Sequence, residues 1–109
     1  MSEKLKKQTR YSYVWEFIVP ETSAPEFEKY YGPKGHWTTL FGQSDGYLNT
    51  ELLRDKTNSL RYLTIDHWQS EEHYSEFLSM FKVAYDELDS RCEELTSQET
   101  KIGTFTQVG

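Results

Sequence analysis

Four alternating positions within RYLTIDHW (61–68) bring together a phenol, a hydroxyl, a carboxyl and an indole: Tyr62, Thr64, Asp66 and Trp68. Side chains of an extended segment alternate between faces, so these four share one face and Leu63, Ile65 and His67 the other. Ring walls that hold a flat molecule, with a few polar groups to orient it, are what a small-molecule pocket requires. Asp66, withdrawn from water, is a base for proton abstraction, and His36 or His67 would serve nearer neutral pH. His36 and Trp37 follow Gly35 in a connecting segment, where functional groups are often carried.

The same residues also have a purely structural reading. Trp68 and Tyr74 suit core packing where a strand turns into a helix, and Asp66 suits a carboxylate paired with Arg61 or a backbone amide. His73 falls in the first turn of a helix, where solvation is expected. Other chemistries fail on spacing. His36, His67 and His73 form no HxxxH or HxH pair, and Cys92 has no partner thiol, so no metal site is expected. Cys92 lies on an apolar helical stripe as a small buried hydrophobe. Gly32-Pro33-Lys34-Gly35 follows a helix rather than a strand and is no dinucleotide fingerprint.

The elements that must position these groups follow from periodicity. YSYVWEFIV (11–19) reads as a strand with large apolar groups on both faces. Ser23 and Glu26 are spaced as a capping box, opening a helix that ends at Gly32. HWTTLF (36–41) reads as a short helix, YLNTELLR (47–54) and 61–68 as strands joined by a polar hairpin loop, and Ser70 as the cap of the next helix. Phe77, Leu78, Phe81, Tyr85, Leu88, Cys92 and Leu95 keep one helical stripe. A straight helix over 70–95 would run about 39 Å against about 26 Å for an eight-residue strand, so a bend is expected near 80–83. A last strand, roughly 100–108, completes a βαββαβ order. The expected fold is α+β, a ferredoxin-like sandwich whose four-stranded antiparallel sheet carries helices on one face. The strands also present apolar groups to the other face, and a second copy packed there, as a homodimer, is the economical cover. The rings of Tyr11, Tyr13, Trp15 and Phe17, with the Phe pair of the long helix, are read as covering sheet faces. Those of Trp37, Tyr62, Trp68 and Tyr74 are read as surrounding a pocket.

Composition narrows the partners. The chain has 109 residues, 17 of them aromatic by count of eight Tyr, six Phe and three Trp, and a net charge of -6 from 12 basic and 18 acidic residues. Residues 1–10 read as a flexible basic arm, and 11–109 as the single domain; the latter carries 8 basic and 17 acidic residues, or -9. Such a body repels phosphate backbones and anionic membranes, so neither nucleic acid nor membrane is an expected partner. A lone cysteine and the lack of a secretory pattern point to the cytoplasm.

YVWEFIV (13–19), EFE (26–28) after its capped turn, GYLNTELLRD (46–55) and RYLTIDHWQSEEHY (61–74) together resemble the antibiotic biosynthesis monooxygenase family of dimeric α/β barrels, over about residues 11–108. The family includes cofactor-independent oxygenases that turn polyketide phenols into quinones, quinol oxygenases and haem-degrading oxygenases. In the quinone-forming members an Asn, a Trp four residues later and a Tyr six beyond that line the cavity. Trp68 and Tyr74 match this pattern, whereas Thr64 stands at the Asn position. The haem-degrading members use a His at the position of Leu78 and an Asn on the first strand, and neither is present here. The resemblance and the residues together imply a cofactor-independent monooxygenase acting on a small aromatic or quinol substrate. Asp66, His36 and Trp68 are the expected catalytic residues, and Trp37, Tyr62, Thr64 and Tyr74 the substrate-binding ones. No cofactor is expected. The alternative is a non-catalytic dimeric barrel that binds a small hydrophobic ligand, with haem degradation less favoured.

Overall fold

The computed structural model describes residues 9–109; residues 1–8 of the expected arm lie outside the described residues. Strands β1 (Tyr11–Ile18), β2 (Tyr47–Arg54), β3 (Arg61–Trp68) and β4 (Gln98–Thr106) form one antiparallel sheet in the order β2-β3-β1-β4. Helices α1 (Ala24–Tyr31), α2 (His36–Phe41), α3 (Glu71–Met80) and α4 (Lys82–Cys92) supply the second layer. This is the expected α+β sandwich. Register places Tyr13 opposite Asp66, Trp15 opposite Thr64 and Phe17 opposite Tyr62. Burial alternates along β3 as its sequence pattern requires, with Tyr62, Thr64, Asp66 and Trp68 buried and their neighbours half-buried.

The core is a continuous stack of rings between sheet and helices. Phe27, Phe77 and Trp68 are fully buried, and centroid separations of 4.4 to 5.6 Å link Phe27 to Tyr31, Phe27 to Tyr62, Phe77 to Trp68 and Trp68 to Phe41. Each such ring removed from water contributes about 2–3 kcal/mol, which offsets the scarcity of aliphatic residues. Cys92 is buried on α4 as expected.

Ser70 caps α3 by accepting from the His73 backbone N–H. His73, expected to be solvated, is half-buried: its Nδ1 lies 2.7 Å from Ser70 Oγ and its ring packs over Gly46. A Cβ at Gly46 would come within 2.2 Å of that ring, so only glycine lets the turn into β2 pass so close. The expected capping box at Ser23 does not form. A 3₁₀ turn over Glu21–Ser23 winds directly into α1, leaving Ser23 with helical angles and no side-chain cap bond. A capping hydroxyl needs an extended backbone to reach the free amides.

The long helical stripe bends where expected. Phe81 separates α3 from α4 with φ -115° and ψ 26°, while Phe81 N–H still donates to Phe77 and Tyr85 N–H to Phe81. The far face of the sheet carries half-buried Val14, Ile18, Leu63 and Ile65 with exposed Leu53 and Phe105, and no described element covers it. A polar row crosses that face, from Ser12 Oγ to His67 Nδ1 at 2.6 Å and from His67 Nε2 to Glu51 at 2.9 Å.

Candidate active site

A cavity of about 260 Å³ opens between the sheet and the helices. Its floor is the helix-facing side of β1 and β3, and α1 to α4 give its walls. Asp66, Thr64, Trp37 and Tyr74 of the expected set line it. Tyr62, Trp68 and His36 do not. Tyr62 is buried beside Phe27, and its hydroxyl donates to Glu28 at 2.5 Å. Trp68 stands behind the wall among Phe41, Tyr47, Tyr74 and Phe77, where its Nε1 donates to the Tyr13 hydroxyl at 3.2 Å. His36 is exposed at the start of α2, its ring stacked on Tyr30 at 4.1 Å.

The register also corrects the expectation that the rings of β1 mainly cover the sheet faces. Tyr11, Tyr13, Trp15 and Phe17 all lie on the helix side, and the last three line the cavity. Period two fixes which residues share a face but not which side the helices take. Tyr31, Phe41 and Tyr85 complete the ring walls. In the sequence Tyr85 is only one more apolar position of the long stripe, with nothing local to mark it as a cavity residue.

Asp66 is 7% exposed. It accepts a short hydrogen bond from Thr50 Oγ1, and Thr50 in turn lies 2.7 Å from the Tyr47 hydroxyl. Arg61, the expected partner, instead pairs with Glu16 at 2.5 Å and Asp55 at 3.0 Å at the other end of β3. Burial pushes the Asp66 carboxyl up to about 6, against the opposing pull of the Thr50 and Tyr13 hydroxyls and the nearby His67. Burial raises the phenols of Tyr13, Tyr31, Tyr74 and Tyr85 as well, so they stay protonated as donors. Trp37 Nε1 is buried without a hydrogen-bond partner among the described residues, and an acceptor on a bound molecule or a water would satisfy it. The arrangement offers one carboxyl near neutrality, several neutral hydroxyl donors and aromatic walls in a cavity that opens to solvent beside Asp89, Glu99 and Lys101. That combination can take a proton from a flat substrate and give it back.

No family model matches the chain. Over 56 residues it is 34% identical to the heme oxygenase (mycobilin-producing) of Mycobacterium tuberculosis, an overlap covering 51% of this chain and 50% of that protein. The chain thus spans about half the length of the curated relatives it matches. Among solved structures, SnoaB, a cofactor-independent oxygenase from Streptomyces nogalater, superposes with a TM-score of 0.75 at 20% identity, covering 93% of this chain and 95% of SnoaB. A variant of MhuD with two manganese protoporphyrin IX bound per active site gives 0.68 at 23% identity, covering 90% and 94%. A Bordetella bronchiseptica protein proposed as an antibiotic biosynthesis monooxygenase gives 0.69 at 15% identity, covering 93% and 99%. The sheet order, the helices on one face and these superpositions agree: the chain has the ferredoxin-like fold of the antibiotic biosynthesis monooxygenases.

Proposed function

We propose that the protein is a cofactor-independent monooxygenase that oxidises a small aromatic or quinol substrate in the ring-lined cavity. The observation that carries this reading is Asp66: a carboxyl with its pKa near 6, buried beside aromatic walls and facing the space a flat molecule would fill. Its carboxylate takes a proton from a substrate methylene or phenol, and the electron pair stays on the ring system. The carbanion adds to oxygen to form a peroxide, which regains the proton from Asp66. Loss of water then leaves a carbonyl: one methylene and one dioxygen become one carbonyl and one water, with every electron drawn from the substrate. Thr64 and the phenol of Tyr74 orient the substrate, Trp37 forms a wall, Trp68 backs the cavity rings of Phe41 and Tyr74, and Tyr62 packs on Phe27 outside the cavity. His36 takes no part, because it stands exposed outside the cavity.

Haem does not fit this cavity. Its described lining has no His, Cys or Met to hold iron, and its buried tyrosines are kept protonated, which makes them poor ligands. The reading includes a homodimer in the cytoplasm, in which a second copy covers the apolar far face of the sheet. No helix is long and apolar enough to cross a membrane among the described residues.

Oxygen uptake with a panel of anthrones and hydroquinones tests the activity. Wild-type protein should consume oxygen with at least one of them, and Asp66→Asn should lose about 100-fold or more of the rate. Silence across the panel, or an Asp66→Asn variant as fast as wild type, would overturn it. Tight binding of panel members without oxygen uptake would assign the protein to non-catalytic ligand binding instead.

A further inference from the structure

The pairing of β1 with β4 slips by one residue beside the cavity. Val14 is opposite Gly103, yet the next residue, Trp15, is opposite Lys101, and Ile102 is the extra residue of a bulge. In an unbroken ladder Ile102 would face the helices and Lys101 would share the far face with Glu16. The bulge reverses this and turns Lys101 to the cavity mouth, re-aiming a side chain as bulges beside functional sites do. Lys101 is the one cation among the lining residues, and it makes no salt bridge among the described residues. Of the acids that share the lining, Asp89 comes from α4, while Glu99 arrives through the same slip and accepts from Thr96 at 3.0 Å.

Lys101 and Asp66 sit at two ends of one floor. They are two strands apart, with β1 between them, and offset by two residues along it. Strand spacing and rise put their Cα atoms about 12 Å apart. That spacing leaves room for a flat ring to lie between the two side chains. We propose that Lys101 is the anion-binding residue of this site, holding the oxygen on which negative charge collects once Asp66 has taken the substrate's proton. This rests on the oxidative reading above and narrows its substrate class to phenols, or their keto tautomers, with an oxygen at the end remote from the reacting carbon. The proton passes to the Asp66 carboxylate, the electron pair delocalises through the ring to that oxygen, and the site's total charge is unchanged while its negative centre moves toward Lys101.

The ionisation of bound 4-nitrophenol tests this without turnover. Its phenolate absorbs visibly, and its charge spreads across the ring in the same way. In the full chain, K101M should raise the pKa of the bound phenol by about half a unit relative to wild type, the size expected for one charge several ångströms away at an exposed position. K101R should restore it, K101Q should repeat the loss, and K56M, in the loop after β2, should leave it unmoved. Anthrone oxidation, if present, should fall at least tenfold in kcat/KM in K101M and recover in K101R. A bound pKa that is the same in wild type, K101M and K101Q would overturn the assignment, as would failure of the wild-type protein to bind the probe. Because this readout needs no oxygen chemistry, a protein that shifts the probe's pKa through Lys101 but oxidises nothing would keep the anion site and discard the oxidative reading.

Discussion

Replacing Asp66 with asparagine keeps the shape of a buried carboxyl and removes its charge, and the stability difference between the two proteins should depend on pH. The folded carboxyl titrates near 6 and the ordinary value is 3.8, a rise of about two units that comes first from burial. Below about pH 4 both folded and unfolded chains hold the proton, and the two proteins should differ little. As pH rises from about 4 to 6 the unfolded chain releases its proton first, so wild-type stability falls, and the loss is complete once the folded group has also ionised. At 1.36 kcal/mol per unit, the charged carboxyl then costs about 3 kcal/mol. The asparagine side chain of the variant escapes this cost and still accepts from Thr50. For a domain of this size about 3 kcal/mol corresponds to a difference in Tm on the order of 10 °C. Paired thermal melts from pH 4 to 8 measure it, and the titration of all other carboxylates cancels in the difference. A gap that stays constant across the range, or an asparagine variant less stable at pH 8 than at pH 4 relative to wild type, would refute the claim that Asp66 is a desolvated and ionisable group.

Three further outcomes follow from the same structure. Thr50→Val removes a donor that holds the Asp66 carboxyl down, so the acid limb of the pH–rate profile should move to higher pH by up to about one unit, and an unmoved limb would separate Thr50 from the titration. Gly46→Ala should destabilise the fold by about 2 kcal/mol or more in urea titrations, because the new methyl would meet the His73 ring at 2.2 Å; a neutral effect would show that the turn can yield. Leu63→Lys on the far face of β3 should convert a dimer to a monomer in sedimentation equilibrium with little change in far-UV circular dichroism, whereas a wild-type monomer at micromolar concentration would remove the second copy from the reading.

The sheet was the most legible part of the chain because its information is local. Alternation along 61–68 and the polar loop after 54 define β2 and β3 to the residue, and the bend at Phe81 follows from comparing helix length with strand length. Half-legible was the site. Asp66, Thr64, Trp37 and Tyr74 do meet at one cavity, but His36 looked functional only through its glycine-flanked position, and Trp68 and Tyr62 only through the face they share. Facing the helices is not the same as facing a cavity, since neighbouring rings can fill the space in front of a residue. Lys101 left no signal, because a one-residue slip between strands far apart in sequence decides its direction. The failed cap at Ser23 has a similar cause: residue types were right, but a preceding 3₁₀ turn had already set the backbone.

The bend at Phe81 divides labour between parts of the chain that can change independently. Asp66 is rooted in β3, a central strand where any slip would turn every side chain to the wrong face. Tyr85 and Asp89 reach the same cavity from α4, an eleven-residue segment joined to α3 at one bent position. Substitutions there could reshape the cavity's outer wall while leaving the carboxyl, its Thr50 partner and the sheet register intact. The molecule is in this sense already partitioned for adaptation, with a fixed reactive end and an exchangeable outer wall, and libraries confined to Tyr85 and Asp89 would explore new ligands while leaving the core residues Leu88 and Cys92 in place.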